Sequence, residues 1–288
     1  MTHRSRLICV VILLTCPILV LTKDPDYTIM ELPTLPSFTL GPPSAINERG
    51  QIVGTLGFVQ THAVMWDDGT VIDLEGPFVP GHFSEAHGIN NRGQVTGRQT
   101  IGLSEGHGVI WEKGTVTDLG EFSPGDINER GQIVGMIGSN AVVWQNGTAV
   151  ELGVLPGDAT SQASAINNRG QIVGISYTAG FSSSRAFIWD RGKISELPGL
   201  EGQNTDAFDI NERGQAVGSS GLLPVMWAVL WRNGKPMALP TLPPSPVTPN
   251  DYVATGINNG GTIIGSRTYS GFLSRWSGCE TSGKEIDY

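Results

Sequence analysis

The chain has 288 residues, of which 39 are Gly and 18 are Pro, with 16% charged residues and a formal net charge of −9. It is too apolar to be disordered and lacks the triplet glycine period of collagen. Its glycines are spread too evenly for long helices, since each interior Gly costs about 1 kcal/mol against Ala. A turn-rich all-β chain remains, long enough to bury a large core.

Residues 1–22 open on His3, Arg4 and Arg6, followed by an apolar run from Leu7 to Leu21 broken only by Thr15 and Pro17. This is the layout of a secretory signal, and the run falls short of the roughly 20 residues of a membrane span. An uncleaved anchor is the alternative, and Leu13-Leu14-Thr15-Cys16 is a poor match to a lipoprotein site. Export to the periplasm, cell surface or medium is therefore expected, with any membrane contact confined to this segment. Its removal takes two Arg and no acid, moving the formal charge from −9 to −11. Such a chain repels phosphate backbones, so no nucleic-acid partner is expected. Cys9 and Cys16 leave with the segment and only Cys279 remains, so the core must hold the fold without an internal disulfide.

From Ile46 onward the chain repeats. Ile-Asn-x-Arg-Gly-Gln occurs at Ile46–Gln51, Ile89–Gln94, Ile127–Gln132, Ile166–Gln171 and Ile210–Gln215, with a degraded copy at Ile257–Thr262. The repeat asparagines are Asn47, Asn90, Asn128, Asn167, Asn211 and Asn258, about 42 residues apart on average. Each is followed by a tryptophan, Trp66, Trp111, Trp144, Trp189, Trp231 or Trp276, and only Trp227 stands outside this series. Gln132-Ile133-Val134-Gly135 and its equivalents are β-branched runs closed by Gly, while Ala141–Trp144 and Ala186–Trp189 read as strands buried on both faces. Asp68-Gly69, Asn146-Gly147 and Asn233-Gly234 follow as hairpin turns, with Lys113-Gly114 and Arg191-Gly192 in the same place. A fourth strand then ends on Leu74, Leu119, Leu152, Leu197 or Leu239.

Four short strands per repeat predict a β-propeller of about six four-stranded blades over residues 23–278, with residues 279–288 as a C-terminal tail. The segment Met30–Pro36 nearly copies Met237–Pro243, and so reads as a lone fourth strand that closes the ring. Gly283–Tyr288 resembles Gly69–Leu74, which leaves a seven-bladed alternative with a partial last blade.

These markers resemble the bacterial extracellular HAF-repeat family, named for a His-Ala-Phe step before the tryptophan, over about residues 27–278. The naming step is eroded: His62-Ala63-Val64 comes closest, His107-Gly108-Val109 keeps the His and Arg185-Ala186-Phe187 keeps Ala-Phe. The resemblance implies an exported repeat protein and brings no activity, substrate or catalytic residue with it.

Candidate sites are few. His82, Glu85 and His87 share one predicted loop and suggest metal ligands, but His62 and His107 occupy one repeat position, which argues for a structural slot. Arg49, Arg92, Arg130, Arg169 and Arg213 would ring one face, either around an anion or in blade-to-blade bonds. Nucleophile elbows and phosphate-cradling loops are absent, so no cofactor, metal or catalytic residue is expected. The two tight turns of each blade would point to one face and the variable connections to the other, where insertions often mark a binding surface. Phe58, Tyr177, Phe181 and Tyr252 in those connections are the candidate ligand-binding residues, able to stack on sugar rings or anchor a partner. The sequence thus predicts a non-catalytic, monomeric propeller binding a surface polysaccharide or protein. The alternative is a carbohydrate-active hydrolase or lyase using Glu85, Asp158 or Asp206.

Overall fold

A computed structural model describes residues 32–36, 38, 40–57, 60–75, 81–101, 106–201, 204–222, 225–240, 250–269 and 272–274. The expected leader, Phe58, Trp276, Cys279 and the C-terminal tail lie outside them, as do Met30 and Glu31 of the expected closing strand.

Six antiparallel sheets follow one another along the chain. Blade 1 holds β1 (Leu40–Ile46), β2 (Ile52–Leu56), β3 (His62–Asp67) and β4 (Thr70–Asp73). Blade 2 holds β5 (His82–Ile89), β6 (Val95–Ile101), β7 (His107–Glu112) and β8 (Thr115–Asp118). Blade 3 holds β9 (Phe122–Ile127), β10 (Ile133–Ile137), β11 (Asn140–Gln145) and β12 (Thr148–Glu151). Blade 4 holds β13 (Thr160–Ile166), β14 (Ile172–Tyr177), β15 (Ser184–Asp190) and β16 (Lys193–Glu196). Blade 5 holds β17 (Asn204–Ile210), β18 (Ala216–Leu222), β19 (Val225–Arg232) and β20 (Lys235–Ala238). Blade 6 shows β21 (Asn250–Ile257), β22 (Ile263–Tyr269) and β23 (Phe272–Ser274) among the described residues. The strand order in every blade is sequential. Among the described residues the protein is a β-propeller of six blades.

The first strands of successive blades touch one another, which places them innermost. Each carries an irregular step beside the glycine of the second strand, as between Ala163 and Ala165, and β1 carries two. These glycines do not close their strands, as the sequence pattern suggests; they sit inside them. At Gly174 an added Cβ would stand 2.1 Å from the Gln162 carbonyl oxygen and 2.7 Å from the Phe187 ring. The bulge pushes the inner strand so close that no side chain fits. The hairpin turns do follow the sequence. Asn146 (φ 52°) and Gly147 (φ 80°) share the left-handed pair with the other four turns, as a type I′ hairpin requires.

Between blades, two apolar positions interlock. The Ile before each repeat Asn is buried at Ile89, Ile127, Ile166, Ile210 and Ile257, and the valines Val53, Val134, Val173 and Val217 of the second strands are buried as well. At the two ends of the series the same positions are open: Ile46 is 54% exposed and Ile264 48%. Blade 1 also receives chain from the side on which blade 6 would lie. Trp66 Nε1 donates to the Pro33 carbonyl at 2.7 Å, as Trp231 Nε1 does to the Pro198 carbonyl at 2.8 Å, where Pro198 belongs to the exit from blade 4. Leu32 and Leu35 pack on blade 1 beside this bond.

The two open faces carry the residue pair that is covered between the other blades, so they are expected to cover each other and close the ring. Ile46→Ala and Ile264→Ala should then each cost roughly 2 kcal/mol or more, as for a buried isoleucine. Thermal denaturation beside an Ile127→Ala control checks this. Melting temperatures unchanged from the parent would mean that the ends stay apart.

Candidate functional site

The blades are joined at three levels, and these decide which polar groups remain free for function. The lowest level is the Asn turn between first and second strands. Asn167 Oδ1 accepts from the backbone N–H of Arg169 and of Gln171, both at 3.0 Å. Its Nδ2 donates to Gln171 Oε1 at 2.9 Å and, across the junction, to the Asn211 carbonyl at 3.0 Å. The same cross-blade bond runs from Asn47 to Asn90, Asn90 to Asn128, Asn128 to Asn167 and Asn211 to Asn258. The next residue adds a second link. Glu48 N donates to Asn91 Oδ1, Asn91 N to Glu129 Oε1, Glu129 N to Asn168 Oδ1, Asn168 N to Glu212 Oε1 and Glu212 N to Asn259 Oδ1.

The five turn arginines are exposed beside this ring. Arg92 and Arg169 donate from Nη2 to Oε1 of Gln94 and Gln171 in their own turns, at 2.7 and 2.8 Å. They also lie over Gly131 and Gly214 of the next blade, where a Cβ would meet them at 2.9 and 2.8 Å. In these two turns the guanidinium reaches across the junction between blades.

At the middle level, buried inner-strand carboxylates bridge the blade junctions. Asp126 accepts from Ile127 N at 2.7 Å and, across the junction, from Ile166 N at 3.0 Å. Asp209 does the same with Ile210 N and Ile257 N, both at 2.7 Å. Burial pushes Asp126 up to about 7, with the Asp209 charge adding to the rise, and pushes Asp209 up to about 6.

At the upper level, a hydroxyl on each of three inner strands catches the third strand of the blade before it. Ser84, Ser161 and Thr205 accept from Ala63 N, Ala141 N and Ala186 N at 2.8, 2.9 and 2.7 Å.

The eroded His position is a cross-strand acid partner. His62 Nδ1 lies 3.3 Å from Asp73, His107 Nδ1 2.9 Å from Asp118, and Arg185 Nη1 3.1 Å from Glu196, each across the third and fourth strands. His62 is buried and its ring meets that of Phe38 at 4.8 Å. His82, Glu85 and His87 do not share a loop, because β5 extends through all three. His87 sits at the bulge with Nδ1 2.6 Å from the Pro124 carbonyl and Nε2 3.7 Å from Glu85. That histidine, chiefly through its hydrogen bond, holds Glu85 below the usual carboxylate range. Among the described residues no group of three His, Cys, Asp or Glu is arranged to hold a metal ion.

The remaining candidate acids separate. Asp158 is committed to Arg185, 2.8 Å from its Nη2 and accepting from its Nε at 3.2 Å. Asp206 lies on the inner strand β17, where Ser184 and Ser219 hydrogen-bond its carboxylate, the latter at 3.4 Å. Burial pushes it above the usual carboxylate value. The neighbouring Tyr177 phenol is also raised, first by burial and then by the Asp206 charge.

The aromatic candidates divide in the same way. Tyr252 is 9% exposed and belongs to β21, so it is a core residue and not a loop aromatic. Tyr177 ends β14 half-buried, and Phe181, on a 3-10 turn (Ala179–Phe181), is 69% exposed. Their rings stand edge to face at 5.3 Å. Phe181 has φ 56°, a conformation that costs a bulky residue about 1–2 kcal/mol. The turn holds it there. Phe181 N donates to the Thr178 carbonyl at 3.0 Å, and Ser183 N to Thr178 Oγ1 at 3.0 Å. Sequence spacing identified the aromatics but not this strain.

No protein-family model matches the chain, and no curated protein matches its sequence. Among solved structures it is similar to TolB from Acinetobacter baumannii, at 13% identity and TM-score 0.47, covering 65% of this chain and 50% of that one. It is also similar to the β-propeller domain of the Trilobed protease from Pyrococcus furiosus, at 10% identity and TM-score 0.45, covering 82% and 91%. The chain thus spans half the length of the TolB chain.

The buried junction carboxylates set a pH dependence. An acid whose folded value is raised binds its proton more tightly in the folded state, so its stabilisation is fully present below the unfolded value near 4. That stabilisation is lost as pH rises through about 7 for Asp126 and about 6 for Asp209. The melting temperature should therefore be higher at pH 5 than at pH 8, and Asp126→Asn/Asp209→Asn should flatten the difference. A slope unchanged in the double variant would place its origin elsewhere.

Proposed function

We propose that this chain is an exported, non-catalytic β-propeller that binds an extracellular partner through the face carrying its variable connections. The layout of residues 1–22 and the repeat markers support export and a place with the HAF-repeat proteins. The observation that carries the binding reading is Phe181, a strained aromatic held out to solvent on a hydrogen-bonded turn. A fold that only packed its own loops gains nothing from such a residue, whereas strain and exposed apolar surface concentrate at sites of recognition. Catalysis has weaker support. Glu85 and Asp158 are engaged in ion pairs, and of the three candidate acids Asp206 alone is shifted upward, by burial.

Labelled protein is expected to be retained on intact cells of the producing organism. Phe181→Ala should weaken that retention about tenfold or more, as for a central aromatic anchor, and relief of the strained turn should leave the melting temperature no lower. Equal retention of variant and parent would contradict the reading, and sugar release from the cells would favour the hydrolase.

A further inference from the structure

At the junction of blades 4 and 5 an aromatic platform and a hydrogen-bonded carboxylate meet. Tyr177 ends the second strand of blade 4, its Cα partner Ser184 begins the third strand, and Ser184 hydrogen-bonds Asp206 on the inner strand of blade 5. Phe181 stands over Tyr177 at 5.3 Å, between these two strands. Four side chains from two blades and their turn therefore converge on one patch at the loop end of a junction. We propose that this patch binds a pyranose unit of an uncharged polysaccharide, with Phe181 stacking on the sugar and Asp206 accepting its hydroxyls. This rests on the binding role proposed above and names the ligand class.

The chemistry of each group favours a sugar. The C–H face of a pyranose is apolar and matches an exposed ring, while its hydroxyls need acceptors fixed beside that ring. Asp206 is such an acceptor, oriented by the Ser184 and Ser219 hydroxyls, and among the described residues no cation is paired with it. The nearby guanidinium of Arg185 is committed to Asp158 and Glu196. An acidic polysaccharide would face a carboxylate and a chain of formal charge −9, and so is disfavoured. A protein partner could take Phe181 into a pocket, and the protease arm of the test separates that case from a sugar.

The test uses the full protein on intact cells of the producing organism, either untreated, treated with periodate to cleave vicinal diols of sugars, or treated with protease. Retention should be lost after periodate and survive protease. It should change less than twofold between 0.1 and 0.5 M salt, as a contact without counter-ion release predicts. Phe181→Ala and Asp206→Asn should each weaken it about tenfold or more, a loss expected when a stacking or charge-assisted contact is removed. Circular dichroism and melting temperature confirm that both variants fold. Loss after protease with resistance to periodate would overturn the sugar assignment while leaving the binding face standing. Strong weakening by salt would overturn the uncharged class. Retention unaffected by either variant would overturn the site. No retention of the parent protein at all would overturn both this assignment and the binding role on which it rests.

Discussion

The structure depends on how each blade edge satisfies the turn of the next. An amide side chain has two donors and two acceptor lone pairs, and Asn167 uses all four: two backbone N–H groups of its own turn, the glutamine that ends it, and a carbonyl of the neighbouring blade. Local turn formation and blade assembly therefore share one residue. A shorter or non-amide side chain could shape the turn or reach the neighbour, but not both.

Blade order follows from the same constraint. The residue after each repeat Asn alternates Glu48, Asn91, Glu129, Asn168, Glu212 and Asn259, and the N–H of each of the first five donates to the side chain of the next. Carboxylate and amide oxygens both accept that bond, so the link runs through all six described blades in chain order. The Asn turns are committed to assembly, and the recognition we propose uses the face where connections vary and Phe181 is held in strain.

Much of the fold was legible because its determinants are local. The Asn turns, the I′ hairpins and the strand runs are each set within about ten residues, and the structure has them where the repeat puts them. What was not legible came from residues about 40 positions apart. Gly174 reads as a strand terminator until the bulge beside Gln162 is seen to press against it. His82, Glu85 and His87 read as loop residues because polar strands at a propeller axis lack the apolar alternation of a half-buried sheet. Tyr252 and Phe181 look alike in sequence, yet one is enclosed by β21 and the other raised by a left-handed turn. The candidate site was therefore half visible: its aromatics and Asp206 could be named, but the meeting of Asp206 with Tyr177 and the exclusion of Tyr252 required the packing of blade on blade.

The central claim is tested most directly by Asn167→Asp. This carboxylate keeps both accepted N–H bonds of the turn but loses the donors to Gln171 and to the Asn211 carbonyl, at a position only 3% exposed. A buried charge would then face a carbonyl across the blade junction, so the variant should be at least about 2 kcal/mol less stable at pH 8. Part of that loss should return at low pH, as the new acid takes up a proton and can donate again. Stability equal to the parent at pH 8 would show that the cross-blade amide bond does not hold the ring together.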